Sequence, residues 1–249
     1  MRIVKRYLRS IGRHPIALCA CLIVAVSFHF PSARAAGDLG AEFAVRWDPK
    51  QGGPASAHAV LSMLGLKATD TDVYEVRYFT ATQGTETLPG FDVILRERVK
   101  KKKELTYKLR GEKPLPASAP SIGKWECALG AAAKKKDEID VSFIADGQVK
   151  KVYSRSCEVD GDAATLAFPA SLGAKPKGCK SSMTRLKAGD LKIEEWRLGP
   201  GAMLIEVSRN GKDNAAETEA FRKQIVAAVS KAGAAPVDRS KSEAGSDCK

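Results

Sequence analysis

The sequence predicts an α+β fold: an antiparallel barrel or tunnel of about eight strands, with a helix packed outside in each half. Three observations predict it. Short segments of alternating polarity recur along the chain. Only two convincing segments carry helical periodicity, too few for a parallel βαβ sheet. And the polar faces of the strands are rich in Arg and Lys.

The stretch from Tyr74 to Arg110 carries the argument. In FDVILRER, Arg96 and Arg98 point one way, and Val93 and Leu95 the other. In ELTYKLR the same rule places Thr106, Lys108 and Arg110 on one face, with Leu105, Tyr107 and Leu109 opposite. The run Lys100 to Lys103 is the turn between them. If the apolar faces pack on helices, the cationic faces must line a wet space that favours anions.

The remaining elements follow in order. GAEFAVRW alternates, with Phe43, Val45 and Trp47 on one face and Glu42, Ala44 and Arg46 on the other; Asp48-Pro49 ends the strand. ASAHAVLSMLGL carries Val60, Leu61 and Leu64 at helical spacing and stops at Gly65. GEKPLPASAPS reads as an extended linker, and KWECALGA as a short strand. DEIDVSFIADGQVKKVYSRSCEV is a hairpin turning at Asp146-Gly147. After a loop-rich region, SSMTRLK and DLKIEEWRL are strands separated by Ala188-Gly189-Asp190, and AMLIEVSR is the last strand. In AAETEAFRKQIVAAVSKAG, Phe221, Ile225 and Val229 form one helical stripe that Gly233 ends.

Residues 1–35 read as an export signal: Arg2, Lys5, Arg6, Arg9 and Arg13 precede the apolar run Ile16 to Phe30, and Ala33-Arg34-Ala35 sets cleavage before Ala36. The domain is expected over residues 36–233, followed by a polar, disordered tail over 234–249. Export implies a periplasmic or secreted protein with no membrane anchor after cleavage. The whole chain has 41 Lys+Arg and 29 Asp+Glu; six basic and no acidic residues lie in 1–35, so the rest carries a net charge of +6. Only His58 of the three histidines lies beyond the signal, which speaks against multi-histidine zinc sites and triads. Cys127, Cys157, Cys179 and Cys248 suit disulfides in an exported chain; of three pairings, Cys157–Cys179 is favoured. The lysine runs 100–103 and 134–136 have no interleaved aromatics, so they read as solvated turns and no specific nucleic-acid site is expected.

Collected from the strands, the polar faces hold Glu42, Arg46, Arg96, Arg98, Thr106, Lys108, Arg110, Arg185, Lys192, Glu194, Glu206 and Ser208. Guanidinium and ammonium groups in one lumen repel each other until a polyanion supplies the counter-charge. The ordered set also resembles the CYTH superfamily, the triphosphate tunnel metalloenzymes. Glu42-Phe43-Ala44-Val45-Arg46 is similar to its Glu-x-Glu-x-Lys opening, and Arg96-Glu97-Arg98 to its Arg-x-Arg strand. Thr106-Tyr107-Lys108 resembles its Thr-x-Lys strand, and Glu194-Glu195-Trp196 with Glu206-Val207-Ser208 its late strands.

The resemblance implies an eight-stranded antiparallel tunnel that binds a triphosphate with the help of Mg²⁺ or Mn²⁺. It implies phosphate-binding roles for Arg46, Arg96, Arg98 and Lys108, joined by Arg110 and Arg185 from the same polar faces. Glu42, Glu206 and Glu194 would be the metal ligands, with Glu206 catalytic. Three positions depart from the pattern: Ala44 and Ser208 replace glutamates, and Arg46 replaces a lysine. One or two carboxylates can still hold Mg²⁺ beside substrate phosphates, but a full two-metal site is excluded. Three readings stand: a metal-dependent triphosphatase, a non-catalytic binder of a phosphate-rich anion, and a structural barrel whose inward charges pair with one another.

Overall fold

The computed structural model describes residues 39–83, 90–115, 126–199 and 201–246. The expected export signal, the linker beyond residue 115 and Cys248 lie outside these residues. Nine strands form a closed ring: β1 (Gly40–Trp47), β2 (Asp70–Thr80), β3 (Phe91–Val99), β4 (Lys103–Gly111), β5 (Lys134–Phe143), β6 (Val149–Gly161), β7 (Lys175–Ala188), β8 (Leu191–Arg197) and β9 (Met203–Lys212). Around the ring the order is β1-β5-β6-β4-β3-β2-β7-β8-β9, with β9 returning to β1.

Two corrections to the expected architecture follow. There are nine strands where about eight are expected; β2 is not among the expected segments, and the described part of KWECALGA is turn and loop instead of a strand. The ring is also not antiparallel throughout, because β1 and β5 run parallel. Geometry requires this. Strand direction cannot alternate all the way round a ring with an odd number of strands, so at least one neighbouring pair must be parallel.

Two of the expected turns form as their residues dictate. Asp146 and Gly147 both take positive φ, 59° and 70°, which suits a tight connection between β5 and β6. The lysine turn joins β3 to β4, whose register sets Arg96 opposite Thr106 and Arg98 opposite Glu104.

The apolar faces of β1, β8 and β9 that carry Phe43, Ile193 and Ile205 point away from the lumen. Val76, Tyr78, Trp196 and Leu204 instead share the lumen face with Arg96, Arg98 and Glu194 and form a separate cluster there. Phe43, Val45 and Trp47 of β1, Ile193 of β8 and Ile205 and Val207 of β9 form one cluster. Helix α1 (Ala57–Met63) covers it with Val60 and Leu61. Ser56 accepts a cap bond from the Ala59 amide at 3.1 Å, and the Glu195 carboxylate accepts one from the Ala57 amide at 3.2 Å, which ties the helix to β8. His58 is exposed on this helix. The second cover is α2 (Ala215–Phe221), continued through a π-turn (Arg222–Val226) into α3 (Ala227–Lys231). It brings Phe221, Ile225 and Val229 onto the same cluster, as the periodicity predicts.

A second apolar cluster lies under β3, β4 and β6 and contains the disulfide Cys127–Cys157, with Cα atoms 6.1 Å apart. The expected Cys157–Cys179 pairing is therefore corrected, although Cys179 is also disulfide-bonded. The bridge pins the turn before β5 onto β6 and closes a loop with a sequence separation of 30. Cys127→Ala should lower unfolding free energy by about 3–4 kcal/mol, read from urea melts without reductant. A loss below about 1 kcal/mol would contradict that role.

Residues 234–246 pack against the ring instead of leaving it as the expected polar tail. Pro236 bridges to Trp47, the Val237 amide donates to the Arg46 carbonyl at 2.9 Å, and α4 (Lys241–Ser246) follows. Ala244 is buried with Val76, Tyr78, Met183, Trp196 and Leu204. No helix among the described residues is long and apolar enough to cross a membrane.

Candidate functional site: a charged cavity inside the ring

The ring encloses a cavity of about 240 Å³. Strand parity decides what lines it. Glu42 and Arg46 enter from β1, Ile94, Arg96 and Arg98 from β3, Thr106, Lys108 and Arg110 from β4, Arg185 from β7, and Lys192 and Glu194 from β8. All the residues expected to bind phosphate meet here. Glu206 is on the same face of the wall as its register partners Arg46 and Glu194. It is fully buried beneath Arg46 and, at 2.7 Å, Lys241, and does not form part of the cavity surface. A second cavity of about 110 Å³ shares Arg46, Arg110 and Ser240 with the first.

Several lining residues were not foreseen. Lys136, Glu138 and Asp140 come from β5, Glu158 from β6, and Ser240, Lys241 and Ser242 from the C-terminal segment. Lys134 and Lys136 are both exposed, as expected of a solvated run, but they lie in β5 and not in a turn. Lys136 also lines the cavity and pairs with Glu138, and Lys134 pairs with Asp160 at 3.3 Å. The alternation of Lys136, Glu138, Asp140 and Ser142 was a usable signal, masked by the lysines before it. Nine basic and five acidic side chains line the cavity, so its walls carry an excess of positive charge.

The charges fall into two regions. At the first, Arg96, Arg98 and Arg185 approach one another. Arg98 donates to Glu104 at 2.7 Å, and Arg96 donates to Thr106 at 3.0 Å and reaches Glu158 at 3.4 Å. Glu104 and Glu158 are thus shared, and the buried Nε of Arg96 has no hydrogen-bond partner among the described residues. Burial lowers the Arg98 pKa, and Arg96 and Arg185 lower it further, a sign of crowded like charge. Tyr74 spreads under this group, with Arg185 at 5.4 Å and Arg98 at 5.8 Å from its ring centroid.

The second region is acidic and already neutralised. Lys192 donates to Glu42 at 3.1 Å. Glu194 receives Arg185 at 2.8 Å, the Trp196 indole at 2.9 Å and Lys241 at 3.0 Å. Lys108 lies 3.2 Å from Glu138 and 3.4 Å from Asp140, and Arg110 lies 3.3 Å from Asp140. Burial alone would raise the Glu42 carboxyl, but Lys241 and Lys192 overcome it and hold its pKa at about 2. Glu194 is likewise held well below the carboxylate range against its burial, by Lys241 and Arg185. Asp140 is lowered against its burial by Lys108 and Arg110.

These depressed values fix the sign of the acid response. As pH falls, the unfolded chain takes up protons first, so stability declines. For Glu42 the loss runs from 4.5 down to about 2. Melting temperature should be flat above about pH 5 and fall steadily below it, in thermal melts across that range. A melting temperature that rises on acidification would contradict the assignment.

The donor set tests the implied Mg²⁺ or Mn²⁺. Among the described residues there is no group of three or more acidic, His or Cys side chains arranged to hold a metal. The three carboxylates that the resemblance implies as ligands are each committed: Glu42 to Lys192, Glu194 to Arg185 and Lys241, and Glu206 to Arg46 and Lys241. The residues do not fit a resident divalent ion.

No family model matches the chain, and no curated protein does. Solved structures do resemble it. A conserved hypothetical protein of Pyrococcus furiosus aligns with a TM-score of 0.46 at 13% identity, over 81% of this chain and 98% of that one. A Vibrio parahaemolyticus protein assigned as an adenylate cyclase aligns with a TM-score of 0.45 at 12% identity, over 82% and 96%. A Hippeastrum protein, assigned as an adenylyl cyclase and reported to have a dominant triphosphatase activity, aligns with a TM-score of 0.42 at 11% identity, over 80% and 91%. At these scores the functional reading rests on the residues of the chain itself.

Proposed function

We propose that the ring is an exported binding tunnel for a small phosphate-rich anion such as tripolyphosphate or a nucleoside triphosphate. The observation that carries the reading is the cluster of Arg96, Arg98 and Arg185. Arg96 and Arg98 share Glu104 and Glu158, and Arg185 shares Glu194 with Lys241. Burial and then the like charge of Arg96 and Arg185 lower the Arg98 pKa, and the buried Arg96 Nε–H finds no partner among the described residues. A phosphate chain would relieve that repulsion and take paired hydrogen bonds from each guanidinium. Lys108 and Arg110 lie along the same cavity and would continue the contact. The resemblance of the Arg-x-Arg and Thr-x-Lys strands to the CYTH pattern supports the same ligand class.

Metal-dependent hydrolysis is the weaker reading. Glu206 is fully buried beneath two cations, and Arg46 stays protonated and cannot act as a base. The test is a thermal melt with tripolyphosphate, paired with an assay for released phosphate. A ligand of the native state raises the melting temperature, and the rise grows with the logarithm of ligand concentration above Kd. The proposal expects stabilisation without release. Release that stops when a chelator is added would restore the enzyme reading, and neither signal would leave a structural barrel.

A further inference from the structure

Residues 236–246 thread back into the ring and place one side chain, Lys241, at its acidic region. Ser240 and Glu243 cap the start of α4 reciprocally: the Glu243 amide donates to Ser240 Oγ at 3.2 Å, and the Ser240 amide donates to the Glu243 carboxylate at 2.7 Å. Gly245 packs so closely on Tyr78 that an added Cβ would come within 2.5 Å of its ring. These contacts hold Lys241 Nζ 2.7 Å from Glu206 and 3.0 Å from Glu194, and 5.7 Å from the Trp196 ring centroid. Glu194 and Glu206 are directly opposite each other on β8 and β9, an arrangement of like charge that destabilises a sheet unless a cation lies between them.

We infer that the Lys241 ammonium is the resident counter-cation of Glu194, Glu206 and nearby Glu42, so that the tunnel takes its phosphate-rich anion without a divalent metal. This rests on the anion-binding reading and adds how the site keeps its carboxylates from repelling the ligand. Burial disfavours a charged ammonium, but Glu194, Glu206 and Glu42 more than reverse that effect, and the Lys241 pKa is raised. A divalent ion entering here would have to displace an ammonium covalently tied to a docked helix. Without Lys241, two facing carboxylates would turn a negative field on the cavity beside them.

The test is calorimetric titration of the purified protein with tripolyphosphate in EDTA, repeated with Mn²⁺ in place of the chelator. Wild type should bind in EDTA. Lys241→Ala should weaken that binding at least about tenfold, and Lys241→Arg, which keeps the charge, should recover most of it. Binding that appears only with Mn²⁺ would overturn the inference while leaving the anion-binding reading intact, as would Lys241→Ala binding as tightly as wild type. Absence of binding in both buffers would sink the tunnel reading and the inference with it. Should Lys241→Ala not fold, the wild-type comparison alone decides.

Discussion

Arg96→Ala combined with Arg98→Ala is expected to reduce affinity for tripolyphosphate by at least roughly 100-fold, with little loss of fold stability. Each charge-assisted hydrogen bond to phosphate is worth about 1.5–3 kcal/mol, and two guanidiniums would make several. The stability expectation follows from the crowding. Removing two mutually repelling cations releases Glu104 and Glu158, which are partly exposed and can be hydrated. Arg98→Lys should fall between the two, because an ammonium keeps the charge but loses the planar fork. Lys134→Ala, on an exposed side chain, is the control and should bind as wild type. Unchanged affinity in the double variant would place the anion elsewhere.

Glu206→Ala is expected to cause the largest stability loss of any single charge removal, about 3–5 kcal/mol. The reason is what it leaves behind. Glu206 is fully buried and is the shared partner of Arg46 and Lys241, so its loss strands cationic groups in the interior. Urea melts should show a lower midpoint with an unchanged slope. Glu158→Ala, whose partner contacts are long and whose carboxylate is more exposed, should cost no more than about 1 kcal/mol. A Glu206→Ala shift no larger than that of Glu158→Ala would mean that Lys241 and Arg46 find other partners, and the acidic region would need a different account.

Strand parity was the legible part of this protein. The period of two in GAEFAVRW, FDVILRER and ELTYKLR places Arg46, Arg96, Arg98, Lys108 and Arg110 on one side of the wall, and the cavity lining bears this out. β2 was hidden because its polarity is inverted at one end: Asp72 is buried while its neighbour Val73 is 60% exposed. The acidic half of the lumen was missed for a related reason. Glu138 and Asp140 follow three lysines, and a charged run suggests solvent unless the sheet that encloses it is known.

Lys241 could not be found by hydrophobic periodicity at all, since α4 buries only Ala244 and Gly245. Its one local signal is the Ser240-x-x-Glu243 spacing of a capping box, easily overlooked in a polar segment near the end of the chain. The disulfide pairing depended on tertiary placement, because Cys157 meets Cys127 only once β5 and β6 are paired and the preceding turn has folded over them.

The most direct measurement is a crystal structure of the protein grown with tripolyphosphate and EDTA. The account predicts electron density for the phosphate chain inside the ring, with oxygens within hydrogen-bonding distance of Arg96, Arg98 and Arg185, and Lys241 still between Glu194 and Glu206. A lumen holding only water at millimolar ligand, with those arginines unmoved, would contradict it.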